Sequence, residues 1–179
     1  MLFRSVQLVH EVRINEQTAW RRKCLDTVRH AYGRAPHFGV VYSFLEALFE
    51  YQTDRIADFN AHVIRALLEK LEMAPGAIES GSRLGLQGKG TDLLVTMVRA
   101  VGGNTYLCGG GAAGYQEDEK FEAAGLRLVQ QEFRQAAYRQ VGAKNFAPGL
   151  SIVDALMNCG FDGTRALVLG SNKQPVPVT

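Results

Sequence analysis

A chain of 179 residues, 46% of them hydrophobic, is long enough for one domain with a real core. A formal net charge of +2 and an ordinary charged fraction of 21% argue against the broad basic surface that nucleic-acid binding needs. No apolar run approaches the ~20 residues that cross a bilayer, and Met1 to Ser5 lacks the apolar stretch of a signal peptide, so neither membrane insertion nor export is indicated.

Val6 to Ile14 alternates in part, through Val6, Leu8, Val12 and Ile14, and predicts a strand ending near Asn15. A chain that enters almost directly inside a strand carries the expectation of an absent upstream segment. Thr18 to Tyr32 reads as a helix with Trp20, Cys24, Val28 and Ala31 on one stripe, closed by Gly33 and Pro36. A second helix follows from Phe38 to Tyr51, where Val41, Phe44, Leu45, Leu48 and Phe49 keep the spacing of a core-facing helix. Thr53 or Asp54 is placed to cap a third, with Ile56, Phe59, Val63, Ala66 and Leu67 on its apolar face and its end near Glu72.

Ala77 and Ile78 predict a short strand, followed by a glycine-rich loop from Gly81 to Gly90. Thr91 is the expected cap of a helix carrying Leu94, Met97, Val98 and Val101, ended by Gly102-Gly103. Thr105 to Cys108 predicts a buried strand, Glu117 to Ala124 a short helix closed by Gly125, and Leu126 to Phe133 another strand. Ser151 opens the last predicted helix, with Asp154 three residues on as in a capping box, and Gly160 ends it. The fold class expected from this order is α/β: a small, mostly parallel sheet built from β-α-β units, with a group of helices from the N-terminal half packed beside it. Residues 1–170 read as one domain, and residues 171–179, with Pro175 and Pro177, as a flexible tail.

Two loops attract attention as ligand sites. Gly85-Leu86-Gln87-Gly88-Lys89-Gly90-Thr91 leads a lysine and a threonine into a helix N-terminus, where unpaired N–H groups favour anions. Gly90 stands between Lys89 and Thr91, so the pattern is not a P-loop, and the purely structural reading is a glycine-rich turn with an ordinary cap. Tyr106 to Tyr115 places Gly109, Gly110 and Gly111 at a strand end, where a ligand approaches backbone closely and Tyr115 is placed to stack or donate. Its structural reading is a permissive loop with Tyr115 packed on the surface, and the spacing is not a dinucleotide fingerprint.

Cys24, Cys108 and Cys159 are far apart and odd in number, neither a disulfide framework nor a zinc pattern, and point to a reducing compartment, the cytoplasm. Cys108 and Cys159 read first as small buried hydrophobes and only second as nucleophiles. His10, His30, His37 and His62 lack metal-ligand spacing, so no metal site is expected, and no motif names a cofactor. Arg21-Arg22-Lys23 reads as a solvated helix face before it reads as an anion site.

Several segments in order resemble one family. Trp20-Arg21-Arg22-Lys23, Tyr32 and Ala35-Pro36-His37-Phe38 resemble its tryptophan-basic segment and proline-aromatic element. Asp58-Phe59-Asn60, Ser80 to Leu94, and Thr105-Tyr106-Leu107-Cys108-Gly109 with Tyr115 are similar to its middle motifs. Phe146 to Asp154, with Asn158 and Gly160, is similar to its C-terminal Leu-Ser-Ile-hydrophobic-Asp motif. Together these resemble the WbqC-like proteins. The family's leading Gln-Pro, Leu-Pro-Trp and Trp-x-Asn-Arg elements have no counterpart here, so the expectation is a chain lacking the family's N-terminal segment.

The resemblance implies a bacterial O-antigen or surface-polysaccharide setting. It also implies a transferase adding a glycyl or other small acyl group to a nucleotide-linked amino sugar. The partner is then a small-molecule substrate, a nucleotide sugar, and the expected site is Ser82, Lys89, Thr91, Gly109, Gly110 and Tyr115. Lys89 would hold phosphate or carboxylate and Tyr115 would orient the acceptor; no residue is assigned as catalytic base. Two alternatives stand beside this reading: a non-catalytic ligand-binding or assembly component of the same pathway, and an inactive truncated fragment.

Overall fold

The computed structural model describes residues 8–73, 76–109, 116–170 and 176–177. In chain order the main elements are α1 (Trp20–Tyr32), α2 (Phe38–Phe49), α3 (Ile56–Lys70), α4 (Gly90–Ala100), β1 (Thr105–Gly109), α5 (Asp118–Ala123), β2 (Arg127–Gln131), α6 (Ile152–Gly170) and β3 (Val176–Pro177). The fold is therefore mixed helix and strand. The chain divides into two compact units, Met1–Pro75 with Gln135–Val168, and Gly76–Arg134 with Leu169–Thr179. No helix among the described residues is long and apolar enough to cross a membrane.

The first unit is helical. Its core joins Ala35, Val41, Tyr42, Leu45, Leu48, Leu71, Leu156 and Met157, so α2 and α6 supply most of the apolar surface removed from water. The α2 stripe follows the predicted spacing and adds Tyr42, whose hydroxyl accepts a hydrogen bond from Arg29 at 2.9 Å. On α1 the packed stripe is Leu25, Val28 and Tyr32, while Cys24 is exposed; the face is turned one residue from the predicted one. Trp20 instead meets Phe49 and Phe59, with the Arg21 guanidinium over the Trp20 ring.

Three local expectations are corrected in this unit. Of the predicted strand Val6 to Ile14, residues 6 and 7 lie outside the described residues. Val9–Glu11 is a 3-10 turn, because the Glu11 carboxylate reaches back to the Leu8 N–H and competes with strand pairing. Among the described residues of this segment, only Arg13 pairs in β fashion, with Arg55. Neither Thr53 nor Asp54 is the N-cap of α3; Arg55 is, and the Thr53 hydroxyl accepts the Arg55 N–H at 3.1 Å. Gly160 does break helical geometry in α6, with φ 70° and ψ −176°, but the chain resumes as helix to Gly170. It resumes because Phe161 packs edge-on against Phe44 and joins the core.

The second unit holds the sheet. β1 and β2 run parallel, Thr105 opposite Arg127 through Gly109 opposite Gln131, and α5 lies between them in sequence. β3 adds two residues antiparallel to β2, within the segment expected to be a tail. Cys108, Phe121, Leu126 and Leu128 form the core with Leu94, Val95, Val98 and Tyr106 around them; the Tyr106 ring stacks on Phe121 at 4.9 Å. The predicted strand at Ala77 and Ile78 is absent: both are exposed, and two apolar residues without a paired neighbour leave their backbone polar groups to water. Arg127–Gln131 is shorter than predicted, and Phe133 beyond it is exposed.

Candidate functional site

Within the first unit, residues 135–150 form neither helix nor strand, and side chains take over the role of secondary structure. Ser151 caps α6 through the Val153 N–H, yet Asp154 does not complete a capping box. Asp154 is only 4% exposed, and its carboxylate turns the other way. Asp154 Oδ2 accepts from the Tyr138 hydroxyl at 2.7 Å and from Gln140 Nε2 at 2.9 Å; Oδ1 accepts from Asn158 Nδ2 at 3.3 Å. The Gln140 amide also bridges the Ala147 backbone, accepting its N–H at 2.8 Å and donating to its carbonyl at 3.0 Å. Asn158 Oδ1 accepts the Val141 N–H at 2.8 Å. A buried carboxylate persists at acceptable cost only with such a set of donors.

Burial, with Asp154 adding to it, shifts the titration of the neighbouring groups. Burial, and then the hydrogen bond and charge of Asp154, push the Tyr138 phenol up to about 12 from the usual 10.0. Burial and the same carboxylate raise the Tyr32 phenol, and burial followed by the Asp154 charge raises the Cys159 thiol. Because Tyr138 holds its proton more tightly when folded, its contribution to stability is full below pH 10 and is lost as the pH climbs to about 12. Urea unfolding from about pH 9 upward is expected to show wild type losing stability more steeply than Tyr138→Phe. Parallel curves for the two proteins would contradict the raised Tyr138 phenol.

Anchoring Tyr138 and Gln140 inward leaves the residues between and after them facing out. Arg139 and Val141, both exposed, line a cavity of about 280 Å³ with Arg34, Pro36 and Asn158. Arg34 lies in the turn between α1 and α2, where Ala35 N–H bonds to the Tyr32 carbonyl at 2.8 Å and His37 N–H to the Met157 carbonyl at 3.1 Å. The lining holds two guanidinium groups, one amide and two apolar walls, and no carboxylate. Among the described residues neither Arg34 nor Arg139 has a hydrogen-bonded or ion-paired partner. Two unpaired planar forks are the arrangement that grips phosphate or carboxylate oxygens bidentately.

The residues expected from the sequence lie in the second unit. Ser82 is in a 3-10 turn, Gly81–Leu84, and its hydroxyl meets that of Ser80 at 2.9 Å. Lys89, exposed, is the N-cap of α4, which no side chain caps. Thr91 is not the cap: it sits inside the first turn, 2% exposed, and its hydroxyl accepts the Glu117 N–H at 3.0 Å. Gly109 ends β1 at an exposed position, while Gly110 and Tyr115 lie outside the described residues. The Gly81–Leu84 turn packs on α4 and α4 on β1, so Ser82, Lys89, Thr91 and Gly109 belong to neighbouring elements.

Other candidates are absorbed by structure. Cys108 is a core residue. Arg21 donates to the Phe49 and Tyr51 carbonyls at 2.6 and 2.9 Å and pairs with Glu16 at 2.8 Å, so of the basic run Arg21 is taken up by structure. His62 stacks on Tyr51 at 4.1 Å. Among the described residues no group of three or more His, Cys, Asp or Glu side chains is gathered to hold a metal ion.

A mixed helix-and-strand protein with an arginine-lined cavity braced by a buried carboxylate is the class these observations define. The chain belongs to the WbqC-like protein family, which matches residues 4–166, nearly its whole length, and which is associated with polysaccharide gene clusters. No curated protein and no solved structure matches it.

Proposed function

We propose that this chain is a cytoplasmic transferase of bacterial O-antigen or other surface-polysaccharide biosynthesis. It would move a glycyl or other small acyl group from an activated donor to the amine of a nucleotide-linked amino sugar: the amide C–N bond forms as the bond between acyl group and carrier breaks, and the carrier leaves with the proton lost by the amine. The observation that carries the reading is the cavity between Arg34 and Arg139. Its 280 Å³ falls just below the roughly 300–1,000 Å³ of pockets that enclose a whole drug-sized ligand. A phosphate, diphosphate or sugar-phosphate end is therefore the part that fits. Ser82, Lys89, Thr91, Gly109, Gly110 and Tyr115 are proposed as a second ligand-contacting set, supported by the exposed Lys89 at an uncapped helix N-terminus. Thr91, whose hydroxyl already accepts a bond, has its proton left to offer. In the fold that goes with this reading, β1, α5 and β2 are one β-α-β unit.

A second reading, a ligand-binding or assembly component without turnover, is favoured by one observation. The reactive groups around α6 are held back: the Asp154 oxygens are occupied by donors, and burial keeps the Cys159 thiol protonated.

Thermal melting with nucleotide-linked amino sugars, pyrophosphate, ATP, coenzyme A and glycine tests both. A ligand of the native state raises the melting point by mass action, by about 2.7 kcal/mol of stability at a hundred times Kd. Stabilisation by nucleotide sugar and pyrophosphate, with glycyl or acyl transfer to the sugar amine, is the expected result. Stabilisation without transfer from any acyl donor favours the second reading. No response to any phosphate-bearing ligand overturns both.

A further inference from the structure

We infer that Asp154 is the positioning residue of the anion site, holding both arginines of the cavity in place without touching the ligand. The inference rests on the cavity reading above and deepens it. Each cavity arginine sits on a segment tied to this one carboxylate or to the helix that carries it. Arg139 is flanked by Tyr138 and Gln140, which both donate to Asp154 Oδ2, at 2.7 and 2.9 Å. Arg34 lies two residues after Tyr32, whose hydroxyl also faces Asp154, and its turn is pinned to α6 by the His37 N–H on the Met157 carbonyl at 3.1 Å. Asn158, the third polar wall, is held by the Asp154 carbonyl at 2.8 Å and by Oδ1. Asp154 itself does not line the cavity.

The chemistry requires a carboxylate. Tyr138, Gln140 and Asn158 all present protons, and only an acceptor-only group with several lone pairs satisfies three donors at once. An amide at 154 turns one oxygen into an N–H₂ group. If that group replaces Oδ2, it faces the Gln140 N–H₂; if it replaces Oδ1, it faces that of Asn158. In the first orientation Gln140 loses its anchor on α6; in the second, Asn158, which accepts the Val141 N–H, loses its bond to Oδ1. Either way residues 138–141, with no strand or helix of their own, hold the direction of Arg139 less firmly through the bonds that remain. Preorganisation matters here because an arginine side chain is rich in rotamers, and a loose pair of guanidinium groups must be gathered at the ligand's expense. The ligand class this arrangement selects carries a compact double negative charge, a phosphate or diphosphate, rather than a neutral sugar.

The test is calorimetric titration of inorganic pyrophosphate into wild type, Asp154→Asn, Arg139→Gln and the double variant. Asp154→Asn is expected to bind about 10-fold more weakly, and adding Arg139→Gln to lose no more than about a further 3-fold, since the arginine is already displaced. Wild-type affinity in Asp154→Asn, or losses that multiply fully in the double variant, would overturn the positioning role and leave the cavity reading standing. Absence of pyrophosphate binding by wild type would overturn the cavity reading itself. Should Asp154→Asn not fold, Tyr138→Phe removes one of the bonds and keeps the carboxylate; it is expected to bind about 3-fold more weakly, and unchanged affinity overturns the role.

Discussion

Replacing Gly160 with alanine is expected to destabilise the protein by about 3 kcal/mol or more. Two independent effects meet at this residue. Its φ of 70° with ψ of −176° falls where essentially only glycine resides, at a cost of order 1–3 kcal/mol for any other residue. A Cβ there would also stand 2.8 Å from His37 Nδ1 and 2.9 Å from its Cε1, a clash rather than a contact. The two backbones have little freedom to separate, because the His37 N–H is bonded to the Met157 carbonyl and the Thr164 hydroxyl donates to the Gly160 carbonyl at 2.6 Å. Gly39→Ala is the control: that glycine lies in α2 with nothing within 4 Å of a Cβ. It is expected to be neutral or to stabilise by up to about 1 kcal/mol. Urea unfolding with unchanged slope measures both, and a Gly160→Ala variant within about 0.5 kcal/mol of wild type would contradict the account.

The double substitution Arg34→Gln with Arg139→Gln is expected to weaken pyrophosphate binding by about 100-fold, and each alone by about 10-fold, at roughly 1.5 kcal/mol per charge-assisted contact. Both side chains are exposed and without partners among the described residues, so the melting point should barely move. Arg139→Lys should recover only part of the loss, since an ammonium keeps the charge but not the planar fork. The salt dependence of binding should flatten in the double variant, because the screened attraction has gone. Full affinity in the double variant would place the anion elsewhere.

What could be read from the chain follows from the range of the forces involved. The apolar spacing of α2 and the glycine stops of α4 and α5 are local, and they lie within about a residue or two of the predicted positions. Over the described part of the strand expected at Val6 to Ile14, the chain turns at Glu11, whose bond to the Leu8 N–H does not show in the apolar pattern. Gly160 reads as a break, but the helix beyond it depends on Phe161 finding Phe44, a contact that nothing near Gly160 announces. Site reading met the same limit. The glycine loops draw attention because their signal is contiguous, whereas Arg34 and Arg139 are brought together only by the fold. Ser151 and Asp154 had the spacing of a capping box, and only the Ser151 half was used that way. Asp154 and Asn158 stand out in the sequence through the capping-box spacing and the C-terminal motif, whereas the inward turn of Tyr138 and Gln140 that leaves Arg139 outside acquires meaning only once Asp154 is known to lie on its inner side.

The central claim, that Arg34 and Arg139 form the anion receptor, is tested most directly by following arginine side-chain Nε–H signals in an NMR titration with pyrophosphate. The Arg34→Gln and Arg139→Gln variants assign the two signals. Saturable shifts of both, with one shared affinity, are the predicted result. Unmoved Arg34 and Arg139 signals, with shifts confined to the backbone from Gly81 to Thr91, would contradict the claim and assign the anion to the glycine loop.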